Sequence, residues 1–390
     1  MISVEQARTA LLDLISPLPP EDVPLTEAAG RVLARNVAAR RDQPPFDASS
    51  MDGYAVKSAE VERHAMFKVI GESAAGHGYG GTVGAGQAVR IFTGAPVPKG
   101  ADFVVIQEDV ARSDDLVTIA DVPGQNPNIR PAGADFRAGT AIPAPRVLTA
   151  QDVALLAAMN LHRVPVTRKP QIALMATGDE LVMPGEDPGP DQIIASNSFG
   201  LRAMLQDLGA TVRMLPIARD TMSSLRTAFE MAQGADVIVS IGGASVGDHD
   251  LVGQVAADLG MDRAFYKVAM RPGKPLMAGR LNGTAMVGLP GNPVSAMVCG
   301  QIFLAPVVRR LLGLEQVLPT LRQARLHTAL PANGPREHYM RAVIDGDRIS
   351  AFDNQDSSLL TVLSQANALL VRAPNDPPVQ PGASVRYLPL

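Results

Sequence analysis

The sequence predicts a multidomain α/β protein, and three observations carry that prediction. From Gln171 onward, short apolar strands alternate with helices of about ten residues, the pattern of a doubly wound sheet. Pro44–Ile142 is instead dense in Gly and Pro and holds short β-rich runs between helix signals, which marks a β-rich insertion in a helical domain. The tail, Leu321–Leu390, returns to a β pattern and suits a small barrel. The expected divisions are residues 1–43 with 143–168 (helical), 44–142 (inserted β), 169–316 (doubly wound α/β) and 317–390 (barrel).

Ser3-Val4-Glu5-Gln6 reads as a capping box, and Val4, Ala7, Leu11 and Leu12 follow at helical spacing. Thr26–Leu33 reads as a second short helix, and Thr149–Asp152 caps a third that stops at Asn160. The insertion's strands are expected at Phe67–Ile70, Ala88–Phe92, Phe103–Gln107 and Leu116–Ile119. In the α/β part, strand Ile172–Ala176 precedes helix Ser198–Leu208, with Asn197 as its cap. Strand Thr211–Ile217 precedes helix Met222–Ala232, capped by Asp220. Val237–Ile241, helix Asp250–Leu259 and strand Arg263–Val268 come next, and Asn292 caps a last helix with Pro293 at its first position. In the tail, Tyr339–Ile344 and Ile349–Phe352 flank the hairpin signal Asp345-Gly346-Asp347-Arg348, and Ala368–Ala373 and Ser384–Leu388 are two more strands.

Composition narrows the function. Of 390 residues, 46% are hydrophobic and 19% charged, enough for sizeable cores and too apolar for a disordered chain. A net charge of −4 gives no basic excess to neutralise phosphates, which argues against a nucleic-acid binder. The single Cys299 excludes a disulfide framework and reads as a buried apolar side chain. Glu5, Arg8 and Asp13 interrupt the N-terminal apolar positions, so no signal-peptide core is present. Ala285–Val308, apolar but split at Asn292-Pro293, reads as a buried strand and core helix, not a membrane span. A soluble, cytoplasmic protein that binds no membrane is expected.

Ligands of open α/β sheets bind beyond the carboxyl ends of the strands. Three loops lie there: Thr177-Gly178-Asp179-Glu180, Arg219-Asp220, and Gly242-Gly243-Ala244-Ser245-Val246-Gly247-Asp248-His249-Asp250. They set Glu180, Asp220 and Asp250 on one rim, with glycines that let a ligand approach the backbone. Lys267 and the turn Arg271-Pro272-Gly273-Lys274 bring cations suited to an anion. Gly288-Leu289-Pro290-Gly291-Asn292-Pro293 adds the N–H groups of a helix start. No P-loop and no dinucleotide fingerprint is present. By themselves, Asp47–Val56, Thr93–Pro98 and Arg130–Asp135 in the insertion read only as loops.

Six segments appear in a fixed order: MDGYAV (51–56), TGAPVPKGAD (93–102), TGDEL (177–181), GGASVGDHD (242–250), RPGKP (271–275) and GLPGNPVSAMV (288–298). As a set they resemble the molybdopterin molybdenumtransferase family, the molybdenum insertases related to the E domain of gephyrin, over essentially the whole chain. The resemblance implies elongated homodimers whose α/β domain is MogA-like. It implies an enzyme that takes adenylylated molybdopterin, releases AMP and places molybdate on the dithiolene with the help of Mg²⁺, in a cleft shared between subunits. Carried over by motif, it implies catalytic roles for Asp52, Thr93, Asp135, Glu180, Asp220 and Asp250, with Asp220 and Asp250 holding the metal. Substrate or oxyanion contacts are implied for Arg130, Gly242, Gly243, Ser245, Lys267, Arg271, Lys274, Pro290, Asn292, Arg341 and Ser364. Asp52 and Asp135 lie on a different domain from the metal candidates and are read as positioning water or a cation. Ile241 stands where the family usually has Thr or Ser; Ser240 and Ser245 are the hydroxyls at hand to replace it. Further expected partners are a molybdopterin adenylyltransferase and molybdoenzyme chaperones. Two other readings are a gephyrin-like scaffold without catalysis and the adenylyl-transfer reaction itself.

Overall fold

This computed structural model describes residues 1–121, 123–243 and 251–390. The chain packs as two units: Met1–Glu21, Gly30–Ala34 and Val166–Leu390 form the larger, Asp22–Ala29 and Arg35–Pro165 the smaller.

In the larger unit a six-stranded sheet runs in the order Thr211–Met214, Gln171–Ala176, Val237–Ile241, Thr284–Leu289, Met277–Leu281, Asp262–Tyr266. Neighbours among the first four are parallel; the last two strands join antiparallel. Alternation along a strand feeds two cores. Ile172 and Leu174 enter one with Leu201, Leu205, Phe303 and Val307, while Ala173 and Met175 enter the other with Leu225, Phe229, Val252 and Val255. Helices therefore cover both faces: Asn197–Asp207 and the run Pro293–Leu311 on one, Met222–Met231 and Leu251–Asp258 on the other. Pro293–Leu311 is long and apolar enough to cross a bilayer, yet 78% of its apolar window is buried inside the fold, as a core helix requires. Helix Val4–Leu12 starts at a complete Ser3–Gln6 capping box and buries Val4, Ala7 and Leu11 in the first core.

The tail closes a five-stranded barrel. Arg322–Leu326 pairs with Arg348–Ala351 and Ser384–Pro389, and Ala368–Arg372 pairs with both Ser384–Pro389 and Glu337–Asp345. The hairpin Glu337–Asp345/Arg348–Ala351 completes the ring. Leu370 points to the barrel core, whereas Leu369 and Val371 pack on the α/β core. One strand thus belongs to two interiors, and that seats the barrel against the helices of the α/β part.

The smaller unit holds a six-stranded sheet in the order Phe103–Ile106, Gly53–Val56, Gln87–Ile91, Met66–Ser73, Leu116–Ile119, Val110–Ser113. Tyr54, Val56, Phe67, Val105 and Val117 fill one side; Ala55, Ile91 and Val104 fill the other. Helix Ala150–Ala158 opens on a Thr149–Asp152 capping box, and the buried Asp152 also takes Arg146 at 2.6 Å.

Several expectations need correction. Thr26–Leu33 is not a helix: a single 3₁₀ turn, Leu25–Glu27, is followed by strand Val32–Leu33, because Gly30 takes φ +75° between them. Thr221, in extended conformation, caps helix Met222–Met231 through Ser224 N–H, so Asp220 is free of that duty. Asn197 is the first residue of its helix and not its cap. Asn292 occupies the cap position of helix Pro293–Cys299 but makes no side-chain cap bond. Strand Met277–Leu281 forms a hairpin with Thr284–Leu289 and lies antiparallel to both its neighbours, so the sheet is mixed where an all-parallel one was expected. Asp250, expected to open the helix that begins at Leu251, lies outside the described residues.

Candidate functional site

A cavity of about 710 Å³ opens at the carboxyl ends of strands Gln171–Ala176, Val237–Ile241 and Thr284–Leu289. Glu180, Asp220, Gly242, Gly243, Pro290 and Asn292 line it, as their motifs anticipate. Position 243 must be glycine: φ is +65°, and a Cβ there would lie 2.2 Å from Val252 Cγ2. Thr177 supplies the hydroxyl beside the two glycines, where Ile241 offers none. Ser240 cannot serve; it is wholly buried in the sheet with its hydroxyl unpartnered among the described residues.

The acids crowd one corner. Asp220 N–H donates to Asp179 Oδ1 at 3.2 Å. Desolvation first, then the charges of Asp179 and Glu180, raise the Asp220 carboxyl above the usual range. Arg219 Nη1 donates to the carbonyls of Asp179 and Leu181, at 2.9 and 3.2 Å, and so fixes the loop that carries the acids. Directly beside Glu180 stands an apolar wall, with Ile193 N–H donating to Glu180 O at 2.7 Å. Leu181–Val182 pairs with Ile193–Ile194, and both isoleucines are exposed at the cavity.

The remaining wall is tied together by amides. Asn197 Nδ2 donates to Gly291 O at 2.7 Å, and Asn292 Nδ2 donates to Ser357 Oγ at 2.9 Å. Ser357 O in turn accepts the Val294 N–H, one of the free donors of the helix start. Ser358 joins the cavity lining from the same segment.

The other candidates on this unit lie elsewhere. Arg271 pairs in register with His338 and opens on a second cavity of about 450 Å³, with Asn333, His338 and Asp356. Lys274 is exposed on the same turn, and its carbonyl accepts from Val268 and Leu276. Lys267 lies over the Tyr266 ring at 5.1 Å. Arg341 is 1% exposed and spends its guanidinium on Gln355 Oε1, Asp356 O and Asn354 O, so it holds the segment that carries Ser357 and Ser358. Ser364 Oγ donates to Thr361 O within its own helix and lines neither cavity. Ser245 and Asp250 lie outside the described residues.

On the smaller unit, Asp52 sits in the turn between strands Ala48–Ser49 and Gly53–Val56. Its Oδ1 accepts both the Thr93 N–H (2.8 Å) and the Thr93 hydroxyl (2.9 Å). Those two bonds, with Arg90 adding its positive field, hold the Asp52 carboxyl below the usual range. The two turns are locked together: Gly94 N–H donates to Ser49 O and Ser49 N–H to Ala95 O. Arg130 pairs with Ala48 at the entry to the same turn. Asp135 is exposed in the following loop, which Ala132 N–H closes onto Asp47 Oδ1. Asp52, Thr93 and Arg130 are thus joined through one short pairing and one pair of turns.

Reading residues alone placed Thr177 in a site loop but missed Ile193, Ile194, Asn197 and Ser358 as lining groups. The isoleucines carried no signal beyond two adjacent apolar residues in a polar loop.

Three family models match the chain: the MoeA N-terminal region (domain I and II) over residues 2–160, a probable molybdopterin binding domain over 173–310, and the MoeA C-terminal region (domain IV) over 323–390. The chain is 36% identical to the molybdopterin molybdenumtransferase of Nostoc sp. over 410 residues, covering 100% of this chain and 94% of that one. It is 35% identical to the Haemophilus influenzae protein of the same name over 320 residues, 81% and 79% of the two chains. Its fold is similar to that of the molybdopterin biosynthesis moea protein from Pyrococcus horikosii, with a TM-score of 0.88 at 29% identity, covering 100% and 99%.

Proposed function

The chain belongs to the molybdopterin molybdenumtransferase family and is a transferase of molybdenum cofactor biosynthesis; from that premise we propose that it moves molybdate onto adenylylated molybdopterin, releases AMP, and needs Mg²⁺ to do so. The observation that carries this reading is the 710 Å³ cavity, with an apolar wall, a glycine pair and a crowded acid corner on one rim. Ile193 and Ile194 offer a surface for a flat ring system, and the backbone at Gly242, Gly243 and Gly291 leaves room for anionic groups.

The acid corner fits Mg²⁺ by its donor chemistry. Its ligands are hard carboxylate oxygens, and Asp220 has its proton affinity raised by desolvation and then by the charges of Asp179 and Glu180, which a cation would offset. Among the described residues no group of three or more His, Cys, Asp or Glu stands ready to hold a metal alone. That suits an ion that takes one or two carboxylates and fills the rest of its shell with phosphate oxygens and water. Asp220 would hold it with Asp250, and it would supply charge neutralisation to the phosphoanhydride. Arg271, Lys274 and Lys267 attract the molybdate dianion, and Asp52, fixed by Thr93, orients water or a bound cation from the insertion.

We place Asp52, Thr93, Arg130 and Asp135 in one subunit's share of the cleft and the α/β rim in its partner's, in a cytoplasmic homodimer of four-part subunits divided after residues 43, 142, 168 and 316. A molybdopterin adenylyltransferase supplies the substrate, and molybdoenzyme chaperones take the product. The test is AMP release from adenylylated molybdopterin: release that requires both molybdate and Mg²⁺ supports the reading. Binding without turnover would make the chain a scaffold, and turnover only with ATP and free molybdopterin would make it the adenylyltransferase.

A further inference from the structure

Arg90 has no place in the reading above, yet it is the hub of the turn that carries Asp52. Its Nη1 donates to Gly53 O at 3.0 Å, the carbonyl of the residue after Asp52. Its Nη2 donates to Gln107 Oε1 at 2.7 Å, and the Gln107 N–H donates to Asp52 O at 3.0 Å. The guanidinium carbon lies 5.2 Å from the centre of the Tyr54 ring and 4.6 Å from that of Phe92, the residue before Thr93. One planar group therefore touches both sides of the Asp52–Thr93 pair through four contacts. The residue after Asp52 must be glycine, because a Cβ at Gly53 would lie 2.0 Å from Val105 O on the neighbouring strand.

We propose that Arg90 is a positioning residue of the insertion's half-site: its fork on Gly53 and Gln107, with its stacking on Tyr54 and Phe92, sets where Asp52 and Thr93 meet the substrate. The proposal rests on the assignment of Asp52 to the site. A lysine keeps the charge but can neither fork nor stack as a plane, so geometry and charge separate experimentally. Among the described residues Arg90 is also the charged group whose field reaches Asp52.

The experiment measures kcat and KM for AMP release, and the affinity for adenylylated molybdopterin, in full-length Asp52→Asn, Arg90→Met, Arg90→Lys and the double variant Asp52→Asn/Arg90→Met. Arg90→Met should lower kcat/KM by about tenfold, and Arg90→Lys should recover only part of that loss. In the Asp52→Asn background, Arg90→Met should add less than about twofold to either readout, since it acts through a residue already removed. If Arg90→Met does not fold, the same cycle is run with Arg90→Lys. The proposal is overturned if Arg90→Met behaves as wild type, if Arg90→Lys restores full activity, or if the penalty persists undiminished without the Asp52 carboxylate. An Asp52→Asn enzyme as active as wild type would instead remove Asp52 from the site and take this inference with it.

Discussion

On the insertion, Asp52 gives one oxygen to two donors from Thr93 and is held below the usual carboxylate range. On the α/β rim, Asp220 is desolvated, faces Asp179 and Glu180, and is held above it. The two acids serve one proposed cleft but are prepared in opposite ways. A hydrogen-bonded carboxylate is already satisfied as an anion and acts by position. A crowded, desolvated one is less favoured as an anion than an ordinary aspartate, and a bound cation would offset that cost. The contrast comes from surroundings, since both residues are aspartates in loops next to a strand or helix end.

The largest expected effect breaks the rim. Asp220→Asn should lower AMP release by on the order of a hundredfold and weaken Mg²⁺ binding, measured calorimetrically, with little change in folding. Wild-type Mg²⁺ affinity in this variant would end the cation reading. Asp52→Asn should cut turnover about as deeply but leave Mg²⁺ affinity alone, so the two variants separate the two roles.

The two halves can also be tested against each other. Asp52→Ala and Asp220→Ala, each inactive alone, should complement when refolded together. Random reassortment gives half heterodimers with one intact cleft of two, so roughly a quarter of wild-type activity should return. A dead mixture with verified heterodimers would place both acids in one chain's site.

Acid titration sharpens the same comparison. As pH falls, Asp220 takes up its proton before an ordinary aspartate would, so Mg²⁺ binding should fade first. Asp52 keeps its charge to lower pH than an ordinary aspartate. Thr93→Val removes the hydroxyl bond and should move Asp52's titration upward toward the ordinary value, observable by carbon NMR of labelled aspartate.

The smallest effect lies in stability. His338 is buried in the barrel wall near Arg271, Arg341, Arg372 and Arg336, and burial first, then those charges, push it down to about 4. The unfolded chain, with an ordinary histidine near 6.5, binds the extra proton between those values. Stability is therefore full above about pH 6.5 and declines as pH falls toward 4, by about 2 kcal/mol between pH 7 and pH 5. His338→Asn should flatten that slope in denaturant titrations; an unchanged slope would show that His338 does not set it.

Much of the architecture was legible because it is written locally. The boxes at Ser3–Gln6 and Thr149–Asp152 each satisfy helix N–H groups within four residues, and both formed as read. Val237–Ile241 is apolar apart from the buried Ser240 because both of its faces are covered, and it is a central strand. Gly242 and Gly243 had to be glycines where the backbone meets Thr177 and Val252. Errors arose where a local signal had a stronger competitor. Thr221 took the cap expected of Asp220, and Gly30 cut a helical pattern short. Asn197 looked like a cap, but its amide was needed by Gly291, 94 residues away.

By itself, then, the sequence determined the order of strands and helices, the glycines at close approaches, and the acids and cations available to a site. Each follows from periodicity, capping or backbone sterics within a few residues. Only the tertiary structure decided which of those groups are spent and which are free. Arg341, a cation in the sequence, is consumed by the carbonyls of Asn354 and Asp356. Arg90, unremarked in the sequence, became the hub beneath Asp52. Asp52 and Asp220 acquired opposite proton affinities. Hydrogen-bond partners and local field come from residues distant in sequence, and these set the state of a charged side chain more strongly than its own identity does.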